Sequence, residues 1–385
     1  MIENWILNEL VQDLTDPFLI TALVLTVVHF GTPLAYYWYA KTRWLPKPWN
    51  IRVDGNYRPK VTVMVPTYNE AEFIQSKLDN IYDQDYPKSL LEVIVVDSAS
   101  IDGTTELVKE WSSKHRDINL ELIKEPIRRG MVPALNYALQ HCQIHGEITV
   151  FTDVDAFWDT DALTRITKYF ADPSVGAITA SIMPTTMANK FLERAYRNYY
   201  NLLRVAESKL HSTPIHNGAL VAFRTRLLSK IGGLPDYTGN DDSTPASVIA
   251  FMGYRALQAD DVIVKEPIRE NQFYRKVRRA QHLILHFLKT KQYCKGLGLY
   301  KLTKPFEVIW RMEWWLHVIN PWLLSTSAVL LATSSFFGSL LALTLLEVGL
   351  ILLMLKVYRT WVLQQFYLVI AAVRNLWTKE IAWVK

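Results

Sequence analysis

The chain has 385 residues, half of them hydrophobic, with 13 Trp, 19 Tyr and a net charge of +5. That length allows one large domain plus further segments, and so modest a charge, much of it beside apolar runs, calls for no nucleic-acid partner. Two cysteines, Cys142 and Cys294, far apart and outside any CxxC pair, argue against a structural zinc site and suit a reducing compartment.

The first element is apolar. Phe18 to Tyr39 has no acid, Lys or Arg over 22 residues, enough to cross a bilayer core as a helix. It is too long for the core of a signal peptide, and acids precede it (Glu3, Glu9, Asp13, Asp16) where a signal peptide has bases. Lys41, Arg43 and Lys47 follow it, which places that end in the cytoplasm.

From Val61 to about Ser181 short apolar runs alternate with helical patterns. Val61–Val65, Glu92–Val96, Leu120–Ile123, Ile148–Phe151 and Val175–Ala180 read as buried strands. Ala71–Tyr82, Thr104–Trp111, Val132–His141 and Asp161–Phe170 read as helices between them. The expected class is α/β, with a mostly parallel sheet covered on both faces. Ligands of such sheets bind outside the carboxyl ends of the strands.

Four polar clusters fall at those ends. Pro66-Thr67-Tyr68-Asn69-Glu70, Asp97-Ser98-Ala99-Ser100, Pro126-Ile127-Arg128-Arg129-Gly130 and Asp153-Val154-Asp155 follow the first four strands in turn. Any one could be a solvated turn; four together, mixing acids and bases, define a candidate site. Asp153 and Asp155 offer hard oxygen ligands that suit Mg2+ or Mn2+. Asp102, opening the next helix, is the natural cap there, which leaves Asp97 for a base or ribose. Further on, Gly239-Asn240-Asp241-Asp242-Ser243-Thr244-Pro245 precedes a helix running to Gly253, with Thr244 as the expected N-cap and Pro245 at the first helical position. The two acids either favour the helix dipole or do chemistry.

The order and spacing of VPTYNE, VVDSASIDGT, the arginine–glycine segment and FTDVDA resemble the family 2 glycosyltransferases of GT-A fold, over about Lys60 to Gln281. The resemblance implies that Pro66, Tyr68, Glu70 and Asp97 surround the nucleoside of a sugar nucleotide. It implies further that Asp153 contacts ribose or the sugar and Asp155 holds the metal. Asp241 stands 12 residues before the Gly253-Tyr254 step, like the family's acidic pair, so Asp242 inherits the role of base in a single inverting displacement. His216-Asn217-Gly218 resembles the segment beside donor sugar and acceptor, with Asn217 and Gly218 on the acceptor side.

Two departures stand out. Gly130-Met131 replaces the Gly-Lys of many relatives, so Arg128 or Arg129 is the candidate replacement cation. Gln272 to Arg275 fits the start of the Gln-x-x-Arg-Trp of processive synthases, but Lys276 stands in place of Trp. Gln272, Arg275, Arg278 and Arg279 remain candidates to grip the diphosphate, or else form a basic flank beside anionic lipid.

Phe306–His317 and the tail from Trp361 to Trp383 mix Trp with charges, as interfacial helices do, and Ile319–Phe337 and Leu340–Leu355 read as two more spans. Lys356 and Arg359 then lie in the cytoplasm and the Ser334–Ser339 turn outside. The expected layout is an N-terminal segment with one span (1–45), a GT-A domain (46–281), interfacial helices (282–317), two spans (318–357) and an interfacial tail (358–385). The expected activity is transfer of one sugar from a nucleotide-sugar donor to a membrane-associated, lipid-linked acceptor on the cytoplasmic face, with membrane lipids as surroundings. The alternatives are a processive polysaccharide synthase and a non-catalytic scaffold that binds nucleotide sugar. The chain carries no signal for an oligomeric state.

Overall fold

The computed structural model describes residues 13, 15–184, 190–237, 240–266 and 272–378. Two compact units emerge: one built from Ala40–Asn271 with Leu285–Arg311, the other from Met1–Tyr39, Gln272–Ile284 and Met312–Lys379.

The first unit is organised around an eight-stranded sheet. Its strands are β1 (Val61–Thr67), β2 (Leu91–Asp97), β3 (Asn119–Lys124), β4 (Ile148–Phe151), β5 (Phe157–Trp158), β6 (Val175–Pro184), β7 (Val221–Arg224) and β8 (Arg255–Glu266). Their spatial order is β3-β2-β1-β4-β7-β6-β8-β5. The half from β3 to β4 is parallel throughout, with Val63 of β1 facing Val93 of β2 and Val150 of β4. β2 and β4 are buried at every position, which explains why they read as continuous β-branched runs rather than alternating ones. Ile74, Leu78 and Ile81, spaced to share one helical face, close over this half together with Val108 and Trp111.

The other half departs from the expected parallel order. β7 is antiparallel to both β4 and β6, and so separates them. β6 then runs parallel to β8, with β5 antiparallel at the far edge. The sheet is therefore mixed, though mostly parallel. Gly146 allows the chain to enter β4, because a Cβ there would sit 2.4 Å from the backbone nitrogen of Thr62.

Most expected helices hold, with shifted ends. The first starts at Ile74 instead of Ala71, and the fourth splits into Ala162–Thr167 and a tighter turn over Lys168–Ala171. Two expectations need correcting. The helix Ser243–Phe251 is capped by Asp242, whose side chain accepts from the Ser243 amide, and not by Thr244. The expected interfacial helix is Lys304–Trp314, and its aromatic face is used inside the protein. Phe306, Ile309 and Trp310 are buried, and the Trp310 ring lies 4.9 Å from Phe251 and 5.0 Å from Phe287 between centroids.

In the second unit, Pro17–Trp44 (28 residues) and Lys304–Phe336 (33 residues, its first part in the sheet unit) are long and apolar enough to cross a membrane. The expected third span is shorter than predicted: Leu340–Leu352 ends in a turn, and Lys356–Arg374 leaves it at 104°. Among the described residues the total reaches three only if that bent pair counts as one span. The end of the tail, through Trp383, lies outside the described residues.

Helices Pro17–Tyr39 and Asn320–Phe336 meet along polar groups. Asn320, Ser327 and Ser334, seven residues apart, are all buried. Asn320 Nδ2 donates to His29 O at 3.2 Å, Ser327 Oγ donates to Ala22 O at 2.9 Å, and Ser334 donates to Asp16. His29 Nδ1 bonds the Asn320 carbonyl at 2.9 Å while its Nε2 accepts from Trp361 Nε1 at 3.1 Å.

Candidate active site

The parallel register brings the strand ends level. Thr67 lies opposite Asp97, and Asp97 opposite Lys124, so the loops that follow share one rim. Side chains lace these loops together. Asn69 N donates to Ser100 Oγ at 2.9 Å, Glu70 N to Thr104 Oγ1 at 2.9 Å, and Ala71 N to Asp102 Oδ2 at 3.0 Å. Asp102 also accepts from the Thr104 amide, but the N-cap position expected for it is held by Gly103, whose φ of 89° favours glycine. Asn69 (φ 53°) and Ala99 (φ 60°) both occupy the left-handed region. For alanine that conformation costs energy, and the lacing holds it in place.

Beside these loops opens a cleft lined among others by Pro66, Tyr68, Glu70, Arg128, Asp153 and Asp155. Six of the expected site residues thus meet at one cleft. The two arginines part company. Arg128 lines the cleft with its guanidinium stacked 3.6 Å from the centre of the Tyr68 ring. Arg129 donates to the buried Glu125 at 2.6 Å, and Glu125 in turn accepts from Ser98 Oγ at 2.7 Å. Arg129 therefore holds loops together, and Arg128 is the cation of the cleft. Met131 lines the wall as the first residue of the helix Met131–His141. The partial positive charge of a helix N-terminus consequently sits at this wall. The helix follows directly on Gly130, whose φ of 114° favours glycine.

Asp97 is buried beside the cleft, its oxygens accepting from Thr67 Oγ1 at 3.3 Å and from the Ser100 amide at 3.1 Å. Asn217 is also turned inward, its amide donating to Ala180 O at 2.6 Å. Gly218, next to it, is where the acids converge. A Cβ built there would stand 3.5 Å from Asp241 Oδ2 and 3.8 Å from both Asp153 oxygens. Asp153 is fixed in this relation because its amide donates to Gly218 O at 3.2 Å. Burial, with Asp242 and Asp153 close by, holds the Asp241 carboxyl well above the usual carboxylate range.

Asp242 is oriented by its neighbour. Ser243 Oγ donates to Asp242 Oδ1 at 2.8 Å and accepts from His216 N at 2.9 Å, tying the helix start to the Gly218 segment. Under that segment His216 is buried with neither ring nitrogen bonded among the described residues. Burial, then the charges of Arg204 and His286, push it down to about 3, so it is neutral packing.

Gln272, Arg275, Arg278 and Arg279 open the long helix Gln272–Gly296 in the other unit. The side chain of Gln272 and residue Gly239 lie outside the described residues. Sequence reasoning passed over Ser243, Glu125, Ser98 and above all Lys77, whose Nζ donates to Ala156 O at 2.5 Å just behind the Asp-x-Asp turn.

A mostly parallel sheet with a cleft at its strand ends and two clusters of acids converging there defines a GT-A glycosyltransferase. The chain belongs to glycosyl transferase family 2, whose family model matches residues 62–232. A mannosyltransferase of Pyrobaculum calidifontis (PcManGT), solved in complex with GDP-Man and Mn2+, is 48% identical, with a TM-score of 0.83 over 93% of this chain and 98% of that one. The glycosyltransferase AglE of Haloferax volcanii is 30% identical over 215 residues, 55% of this chain and 68% of its own length. A dolichyl N-acetyl-alpha-D-glucosaminyl phosphate 3-beta-D-2,3-diacetamido-2,3-dideoxy-beta-D-glucuronosyltransferase of Methanococcus voltae is 29% identical over 103 residues, 27% of this chain and 31% of that protein.

Proposed function

We propose that this chain is a membrane-bound inverting glycosyltransferase that moves one sugar from a nucleotide-sugar donor, GDP-mannose foremost, to a lipid-linked acceptor. The convergence of Asp153 and Asp241 on Gly218 carries the proposal: it joins the donor-side acids to the segment that bears Asp242. The sheet unit is assigned to the cytoplasmic face on the strength of Lys41, Arg43 and Lys47 after the first apolar helix. GDP-mannose is chosen because the mannosyltransferase complexed with GDP-Man is 48% identical over nearly its whole length. The lipid-linked acceptor is supported by the apolar helices and by the dolichyl-phosphate substrate in the name of the Methanococcus voltae relative.

The donor set suits a hard divalent cation. Asp153 and Asp155 are carboxylates at the end of β4, and burial, then the nearby charges of Asp242 and Asp153, raises the Asp241 carboxyl beside them. Among the described residues no three His, Cys, Asp or Glu side chains form a ready-made metal cage, in keeping with a cation that takes further ligands from donor phosphates. Asp155 with Asp153 would hold Mn2+ or Mg2+, and the cation would supply charge neutralisation for a departing diphosphate. Tyr68, Glu70 and Asp97 serve the nucleoside. Arg128 serves the phosphates, with the helix start at Met131 adding partial charge. Asp242 acts as base, oriented by Ser243. The acceptor oxygen bonds to the anomeric carbon, the carbon–diphosphate bond breaks with its electron pair leaving on the diphosphate, and the hydroxyl proton passes to Asp242. One such displacement inverts the anomeric configuration.

Asp242→Asn tests the base. GDP affinity is expected to stay at the wild-type value while transfer to membrane lipid extract falls by about 10²–10⁴-fold; wild-type turnover in that variant ends the assignment. A panel of GDP- and UDP-sugars with Mn2+ or Mg2+ tests the donor, and a UDP-sugar transferred faster than GDP-mannose overturns that choice.

A further inference from the structure

Lys77 is among the largest of the completely buried side chains in the described residues, and its ammonium sets it apart from the phenylalanines beside it in size. It sits in the helix Ile74–Tyr82 beside Ile74, Leu78 and Ile81, which make its core-facing stripe. An ammonium in such a place costs several kcal/mol unless it is well partnered (on the order of several per ion), and an apolar residue of the same size would fill the space without that cost. What Lys77 does there can be read from its contacts. Nζ donates to Ala156 O at 2.5 Å and lies 4.0 Å from the centre of the Trp158 ring. Two further residues near the same helix continue the pattern. Asn80 Nδ2 donates to Trp158 O at 2.9 Å, and Gln84 Nε2 donates to Asp159 O at 3.0 Å. Positions 77, 80 and 84 follow helical spacing, and they take the carbonyls of 156, 158 and 159 in order. The segment leaving the Asp-x-Asp turn is thus strapped to the helix, and Lys77 is the strap nearest the turn. Its charge also has a direction of attraction. Burial pulls the ammonium well below the usual lysine range, and the charges opposing that are those of Asp153 and Asp155.

We propose that Lys77 is a positioning residue that fixes the Asp153–Ala156 turn from beneath, presetting both carboxylates for the cation. This rests on the reading of Asp153 and Asp155 as the metal-binding pair. Lys77 touches neither donor nor acceptor; it acts through the turn. Ordinary buried-lysine packing would serve the fold alone, whereas a positioning role separates metal-dependent from metal-independent binding.

The test uses the full chain in detergent micelles, with GDP titrated in the presence of Mn2+ and in EDTA, and amide hydrogen exchange followed over residues 153–158. Lys77→Met keeps the volume and removes donor and charge. GDP affinity with Mn2+ is expected to fall by about tenfold, as for loss of a residue that orients metal ligands, while affinity in EDTA stays the same. Amides of the turn are expected to exchange about tenfold faster while β1 and β2 keep wild-type protection. Wild-type Mn2+-dependent affinity in Lys77→Met, or an equal loss in EDTA, overturns the positioning role. If wild-type GDP binding is indifferent to Mn2+, the metal reading is what fails, and the exchange rates decide Lys77 alone: faster exchange supports the strap and unchanged exchange overturns it. If Lys77→Met does not fold, the wild-type chain decides. Asp153 and Ala156 amides donate to Gly218 O and Asp153 O; protection supports a fixed turn, and exchange at free-loop rates overturns it.

Discussion

The two units are held together by opposite kinds of contact. In the sheet unit the interior is apolar, β1, β2 and β4 stacking Val on Val, and polar groups gather at one rim. In the helical unit the apolar residues face outward: Val27, Leu34 and Trp38 are 65–70% exposed, while His29, Asn320, Ser327 and Ser334 are buried between helices. Water makes apolar burial decisive for the first arrangement. Where the surroundings are themselves apolar, burial no longer selects a partner, and close packing with polar pairs does so instead.

The comparison predicts unequal responses to substitution. Phe223→Ala, deep in β7, is expected to cost about 3–5 kcal/mol in denaturant unfolding followed by exchange at β4 and β6 amides. His29→Leu adds apolar volume yet is expected to destabilise the helical unit, by about 1–2 kcal/mol, because Asn320 O and Trp361 Nε1 lose their partner; a gain in stability would break the comparison. Asp241→Asn runs the other way. Protonated Asp241 favours the fold below the ordinary carboxylate range, and that contribution is lost as pH rises through its raised pKa. The variant is therefore expected to match wild type in acid and to gain roughly 2–4 °C in Tm near neutral pH, while transfer weakens. An equal Tm difference at every pH would remove the explanation from burial and neighbouring charge. Ser327→Ala is the smallest, at about 0.6 kcal/mol, read as faster exchange around Ala22 and Thr26.

Much of the parallel half was legible because β2, β4 and nearly all of β1 are buried and leave unbroken β-branched runs, whereas β3 carries exposed and half-buried positions. The rim followed, since each polar cluster stands immediately after such a run. The antiparallel half left weaker traces. β7 is only four residues long, and β8 carries Asp260 and Asp261 in mid-strand, where Lys168 and Tyr169 bind Asp261. Thr244-Pro245 was a fair cap signal, but Asp242 two residues earlier satisfies the same rule, since Pro is tolerated throughout the first helical turn. Lys77 was invisible for a plainer reason: a lysine on a helix reads as solvent-facing, and only the carbonyl of Ala156, 79 residues away, says otherwise. The polar seam escaped for the same reason, because serines seven residues apart look like interruptions of an apolar run.

That seam also fixes an order of events during synthesis. His29 and its partner Asn320 are separated by 291 residues, with the whole sheet unit between them. At translation rates of about 5–20 residues per second the first helix therefore waits roughly 15–60 s for the group that completes it. Until then its imidazole has no protein partner from the second helix, and the first helix keeps a polar face. On the membrane-bound reading proposed above, that polar face is one lipid cannot satisfy, which gives the nascent chain reason to hold its first helix near the insertion machinery until the second emerges.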